Sequence, residues 1–229
     1  MSVFAALRDA FLPPRCPGCG DPGDDARFCE LCVGKIRLRT SPMCLKCGAR
    51  IPPATMRREC HLSSFALFVA GEYASPPLQR AIWHLKFRNA RRAAEALGNM
   101  LADFLEPYLE NGKCCFVPVP LGIARERARG YNQAALIARV LGKKLNMPVL
   151  ENILLRERET LPQHESRSAS ERRANVANGF ILRKEAIIPH SQLILVDDVV
   201  TTGATLEAAG RALRSAGARG VWCAAVART

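Results

Sequence analysis

Short apolar runs alternate with amphipathic stretches from about Phe65 to the end of the chain. FALFVAGEY predicts a strand. From Pro77 to Leu109 apolar positions recur at helical spacing among basic residues, which predicts a helical stretch broken near Asn89. KCCFVPVP is apolar throughout and stopped by prolines, as a buried strand would be. Between Tyr131 and Leu145, Ala134, Ile137, Ala138 and Leu141 fall on one helical face. NGFILR and Gln192–Val196 predict two further strands. Thr205–Ala216 predicts a helix closed by Gly217, and VWCAAVA the last strand. Strands that alternate with helices build an α/β fold with a mostly parallel sheet covered on both faces. Cys114, Cys115 and Cys223 lie inside apolar runs and are expected in its core.

The first sixty residues lack this alternation and instead hold seven of the ten cysteines. Cys16 and Cys19 form one CxxC pair, Cys29 and Cys32 a second. Zinc takes four thiolates in a tetrahedron, and each CxxC offers two of them from a tight turn. Cys44 and Cys47 form a third pair, with only Cys60 following in reach. That second site is either completed by His61 or left without a fourth ligand. The segment is too small to fold on an apolar core, so a metal would supply its stability. The division expected is a zinc-ribbon-like module over residues 1–64 and an α/β domain over residues 65–229.

The formal net charge is +12, which suits an anionic partner, a nucleic acid or a phosphorylated small molecule. No stretch approaches the roughly 18 apolar residues of a membrane span. The N-terminus is too short and interrupted for a secretory signal, so no membrane insertion and a cytoplasmic location are expected.

In parallel sheets ligands gather at the carboxyl ends of the strands, and two segments there carry chemistry. In LILVDDVVTTGATL a buried strand delivers Asp197 and Asp198. A loop of small residues with Gly203 then turns into a helix, so backbone N–H groups can close on a phosphate. Carboxylates beside an anion cradle suit a ligand with sugar hydroxyls next to its phosphate. A Walker A loop is excluded by the absence of GK[ST]. In VPVPLGIARERARGYNQ, Arg125, Arg127 and Arg129 are spaced either to converge on one polyanion or to form a solvated basic turn.

CPGCG with its partner pairs, LKF at Lys86, VPVPLGIARERARGYNQ, ERRANV, LILVDDVVTTGATL and the terminal GAxxVxxxxxAR together resemble the competence ComF family, a branch of the type I phosphoribosyltransferases. The resemblance implies a type I phosphoribosyltransferase fold that binds 5-phosphoribosyl pyrophosphate (PRPP). Asp197 and Asp198 would hold the ribose hydroxyls, and Thr201, Thr202, Gly203, Ala204 and Thr205 the 5′-phosphate. Arg125 and Arg129 would meet the pyrophosphate, with Mg2+ accompanying it, and Lys86 would also face PRPP. Thr160–Val176 would form a mobile hood. The resemblance further implies a part in natural transformation, with single-stranded DNA and a competence helicase as partners. Nucleobase salvage, or PRPP or DNA binding without turnover, are the alternatives. Arg80, Lys86, Arg88, Arg91 and Arg92 with Trp83 and Phe87 form a candidate DNA path, although spacing four favours packing of the two aromatics into the core.

Overall fold

In a computed structural model, residues 15–22, 27–52, 65–87, 90–110, 113–156 and 179–229 are described. Among them, a four-residue helix α1 (Glu30–Val33) and a two-residue strand β1 (Met43–Cys44) belong to the cysteine-rich segment. Then come β2 (Ala66–Glu72), α2 (Pro76–Phe87), α3 (Ala90–Leu105), a 3-10 turn at Glu106–Tyr108, and β3 (Cys114–Pro118). The chain continues with α4 (Ile123–Arg129), α5 (Gln133–Leu145), β4 (Leu154–Arg156) and β5 (Phe180–Leu182). It closes with β6 (Gln192–Val200), α6 (Ala204–Ser215) and β7 (Gly220–Arg228).

One sheet runs in the order β1-β2-β7-β6-β3, and a separate antiparallel pair joins β4 to β5. Among the described residues of this sheet, β2, β7, β6 and β3 are mutually parallel, and β1 runs against β2. β6 and β7 are buried over most of their length because helices cover both faces. On one face Ile194 and Val196 pack with Leu78, Ile82, Leu97 and Ile137 of α2, α3 and α5. On the other, Leu193 and Leu195 pack with Leu206, Ala209 and Leu213 of α6.

The cysteine-rich segment shares these cores. Ile36, Cys44 and Ile51 join the first cluster, and Met43 and Leu45 the second. β1 extends the sheet by pairing Cys44 with Ala66. Cys114, Cys115 and Cys223 are buried as expected.

Three expectations differ. The strand expected to end at Val196 continues to Val200, so both acids lie within it, and its pairing with β7 extends to Val200 opposite Arg228. The helix expected from Tyr131 begins at Gln133, because the Asn132 side chain accepts from the Ala134 N–H and caps it there. Trp83 and Phe87 are exposed rather than packed into the core. The apolar stripe of α2 runs through Leu78, Ala81, Ile82 and Leu85, and positions 83 and 87 lie on its far side.

Candidate functional site

β3 and β6 are neighbours, yet α5, which lies beyond β3 in the chain, and α6, which follows β6, pack on opposite faces. The connections diverge at the carboxyl ends of these two strands and leave a crevice, the usual ligand position of an open parallel sheet. The two segments singled out in the sequence are the loops on either side of it.

On the β6 side, alternation along the strand sends Asp197 toward α6, with Leu193 and Leu195, and Asp198 toward α2, with Ile194 and Val196. Asp197 and residues 199–206 line a small, open recess. Gly203 holds φ 84°, a left-handed conformation that glycine adopts without steric cost, and is the N-cap of α6. The first-turn N–H groups of α6 lack intrahelical partners and open toward this loop. Thr201 and Thr202 are exposed on it, and the Ala204 N–H reaches Thr202 Oγ1 at 3.4 Å.

Asp197 accepts from the Asp198 N–H at 2.8 Å, and Asp198 from the Val199 N–H at 2.8 Å. Burial, then the charge of Asp198, push the Asp197 carboxyl up to about 8. Lys86, from the last turn of α2, places Nζ 3.1 Å from Asp198 Oδ2. The sequence separates these residues by more than a hundred positions; the fold brings them together.

On the β3 side, α4 ends at Gly130 and the chain turns into α5. Tyr131 donates its hydroxyl to the Leu85 carbonyl at 2.8 Å, and the Asn132 amide donates to Val119 O at 2.9 Å. These bonds pin the loop to the end of α2 and to β3. Gln133 is buried, and its amide nitrogen has no hydrogen-bond partner among the described residues. The Arg129 guanidinium lies 5.5 Å from the centre of the Phe87 ring, which puts it one residue along from Lys86. Arg125, one turn earlier, is exposed. Trp83 and Phe87 face each other with ring centres 5.8 Å apart. Sequence reasoning assigned no separate role to Tyr131, Asn132 or Gln133, although RGYNQ was legible as a motif.

A second cluster lies on the cysteine-rich segment. The sulfurs of Cys16, Cys19, Cys29 and Cys32 all fall within 4.8 Å of one another. Cys19 and Cys29 are 3.7 Å apart, against the ~3.8 Å edge of a tetrahedron with Zn–S bonds of ~2.3 Å. The N–H groups of Gly18 and Cys29 point at Cys16 Sγ at 3.4 Å. Burial opposes ionisation of Cys16, but the N–H groups of Cys29, Cys19 and Gly18 outweigh it and hold its thiol at about 6. This donor set fits a structural zinc. Arg80 donates to Gly18 O at 2.7 Å and ties the first knuckle to α2, so its side chain is engaged away from the candidate DNA path. Of the third cysteine pair, Cys44 is buried and Cys47 exposed; Cys60 and His61 lie outside the described residues, as do Arg88 and the expected hood Thr160–Val176.

Residues 118–229 match the phosphoribosyl transferase domain, and residues 7–61 the double zinc ribbon domain. Competence protein F of Haemophilus influenzae is 32% identical over 197 residues, covering 82% of this chain and 85% of that protein. The DNA utilization protein YhgH of Salmonella typhimurium is 31% identical over 207 residues, covering 86% and 88%. Competence protein ComFC of Bacillus subtilis is 25% identical over 209 residues, covering 84% and 80%. With a phosphoribosyltransferase fold behind a zinc-ribbon module, and likeness to these proteins over more than four fifths of its length, the chain belongs to the competence protein F (ComF) family.

Proposed function

We propose that the crevice between β3 and β6 binds PRPP and transfers its 5-phosphoribosyl group to a nitrogen nucleophile, with release of pyrophosphate. The observation that carries this reading is the meeting of three features at one switch point: the Gly203 loop, the Asp197–Asp198 pair, and Lys86. Thr201, Thr202, Gly203, Ala204 and Thr205 would hold the 5′-phosphate through backbone N–H and hydroxyl donors. Asp197 and Asp198 would accept hydrogen bonds from the ribose hydroxyls. Lys86 and Arg129, with Arg125 further out, supply positive charge where the pyrophosphate leaves. Mg2+ bound with the pyrophosphate would neutralise its developing charge. The C1–O bond breaks with its electron pair on pyrophosphate, the nucleophile's lone pair forms the C1–N bond, and the nucleophile's proton is released. Among the described residues, the zinc held by Cys16, Cys19, Cys29 and Cys32 would be structural, since all four positions are protein thiolates. Pyrophosphate release from PRPP, measured with candidate nitrogen acceptors with and without single-stranded DNA, tests transfer. No release under any of these conditions would reduce the site to a PRPP binder.

A second activity is supported by the exposed pair Trp83 and Phe87, with Arg129 against Phe87. Aromatic faces beside cations are the usual means of holding unpaired bases. Together with the net charge and the names of the relatives, they support binding of single-stranded DNA in the cytoplasm during natural transformation, where a helicase would be a partner. Each phosphate neutralised contributes about −0.7 to the log–log salt slope. Absence of binding at low salt would remove direct DNA handling from this reading.

A further inference from the structure

The turn between Cys44 and Cys47 lies under the phosphate loop, although more than 150 residues separate them in sequence. A Cβ built on Gly203 would stand 2.8 Å from Leu45 Cδ1, 3.1 Å from Leu45 Cγ and 3.5 Å from the Leu45 carbonyl oxygen. Leu45 therefore occupies the space on one side of the glycine. Its side chain is buried in the cluster that holds Val200 and Leu206, the residues that flank the loop.

The turn that carries Leu45 is held on several sides. The Leu45 N–H donates to Phe65 O at 2.9 Å, and Gly48 N–H closes the turn on Cys44 O at 2.9 Å. Met43 and Cys44 are fixed in register against β2. From β7, Arg228 donates to Met43 Sδ at 2.9 Å, while the next residue, Thr229, donates its N–H to Val200 O at 3.0 Å. Phe65 in turn lies against α6, where a Cβ on Gly210 would come within 2.6 Å of its ring. The cysteine turn and the start of α6 are thus packed as one unit.

We propose that Leu45 is a positioning residue for the phosphate loop: the second cysteine turn of the zinc-ribbon module packs behind the loop without lining the 5′-phosphate site, and Leu45 holds Gly203 in the conformation that presents the loop's N–H groups. This rests on the reading that the loop binds the 5′-phosphate of PRPP. Without the leucine, Gly203 has room to leave its left-handed conformation, and the loop is competent for only part of the time. A competent fraction of about one tenth raises an apparent Kd about ten-fold.

The test is titration calorimetry on the full zinc-loaded chain with three probes: PRPP with Mg2+, ribose 5-phosphate, and pyrophosphate with Mg2+. Leu45→Ala should weaken PRPP and ribose 5-phosphate about ten-fold and leave pyrophosphate unchanged. Leu45→Met should restore both. Leu213→Ala, in the same core cluster but at the far end of α6, should lower the melting temperature and leave all three affinities unchanged. If Leu45→Ala does not fold, Leu45→Val takes its place, with a smaller loss confined to the same two ligands. Unchanged ribose 5-phosphate affinity, or an equal loss for pyrophosphate or in Leu213→Ala, overturns the inference. A wild-type chain that binds neither PRPP nor ribose 5-phosphate instead overturns the reading of the loop beneath it.

Discussion

Asp197 makes the unliganded site costly to the fold, and the cost depends on pH. In the unfolded chain its carboxyl ionises near 3.8, whereas burial and the neighbouring Asp198 raise it to about 8 in the folded protein. Between those values the folded chain keeps a proton that the unfolded chain has lost, so the contribution of Asp197 to stability is most favourable below pH 4 and falls as pH rises toward 8. The slope is at most about 1.4 kcal/mol per pH unit, which from pH 5 to pH 7 comes to about 3 kcal/mol. At this chain length that is a fall in melting temperature on the order of 5–10 °C. Asp197→Asn removes the titration while keeping the shape. The measurement is the melting temperature of wild type and Asp197→Asn from pH 5 to pH 8 without ligand. The two should nearly coincide at pH 5, and the variant should be the more stable at pH 7. Glu151 works in the opposite sense, because Arg139 lowers its carboxyl below the usual 4.5, but that contribution is lost only in acid below this window. Parallel curves would show instead that Asp197 is solvated and ionised as an ordinary surface acid.

Protein purified without chelator should carry at least one equivalent of zinc by elemental analysis, and Cys16→Ser should lose it together with the order of its segment, while Cys223→Ser keeps it. Gly203→Ala should abolish stabilisation by PRPP and lower the melting temperature, since the new Cβ meets both a left-handed φ and the Leu45 side chain; an unimpaired response to PRPP would contradict the loop geometry. Phe87→Ala combined with Arg129→Glu and Arg91→Glu should weaken oligonucleotide binding and flatten its log–log salt slope by about 0.7 for each phosphate no longer neutralised; an unchanged slope would move the DNA path elsewhere.

Much of this architecture is legible in the pattern of apolar residues, because a parallel sheet covered on both faces needs strands that are apolar throughout. LILV and CCFV are short, apolar throughout and bounded by acids or prolines, as buried strands are, and both are neighbouring strands. The paired CxxC spacing was equally direct, since zinc geometry constrains the ligands locally. What escaped were features decided by long-range packing. β1 and β4 are too short to show periodicity and exist because a partner strand is present. The exposure of Trp83 and Phe87 was missed because spacing four describes any helical face, inward or outward, and only the stronger stripe at Leu78, Ile82 and Leu85 decides which one turns in. Lys86 was linked to the site through a motif, but its partner Asp198 could be identified only from the fold.

In the function proposed above, PRPP occupies the crevice between β3 and β6. The most direct test is titration of the zinc-loaded chain with PRPP and Mg2+, by calorimetry and by melting temperature, beside the double variant Asp197→Ala with Asp198→Ala. At 100 times its Kd, PRPP should add about 2.7 kcal/mol to wild-type stability, several degrees in melting temperature at this chain length. The double variant should give neither heat nor shift while retaining its zinc. A wild-type protein that shows neither response at millimolar PRPP, or a double variant that responds as strongly as wild type, would contradict the account.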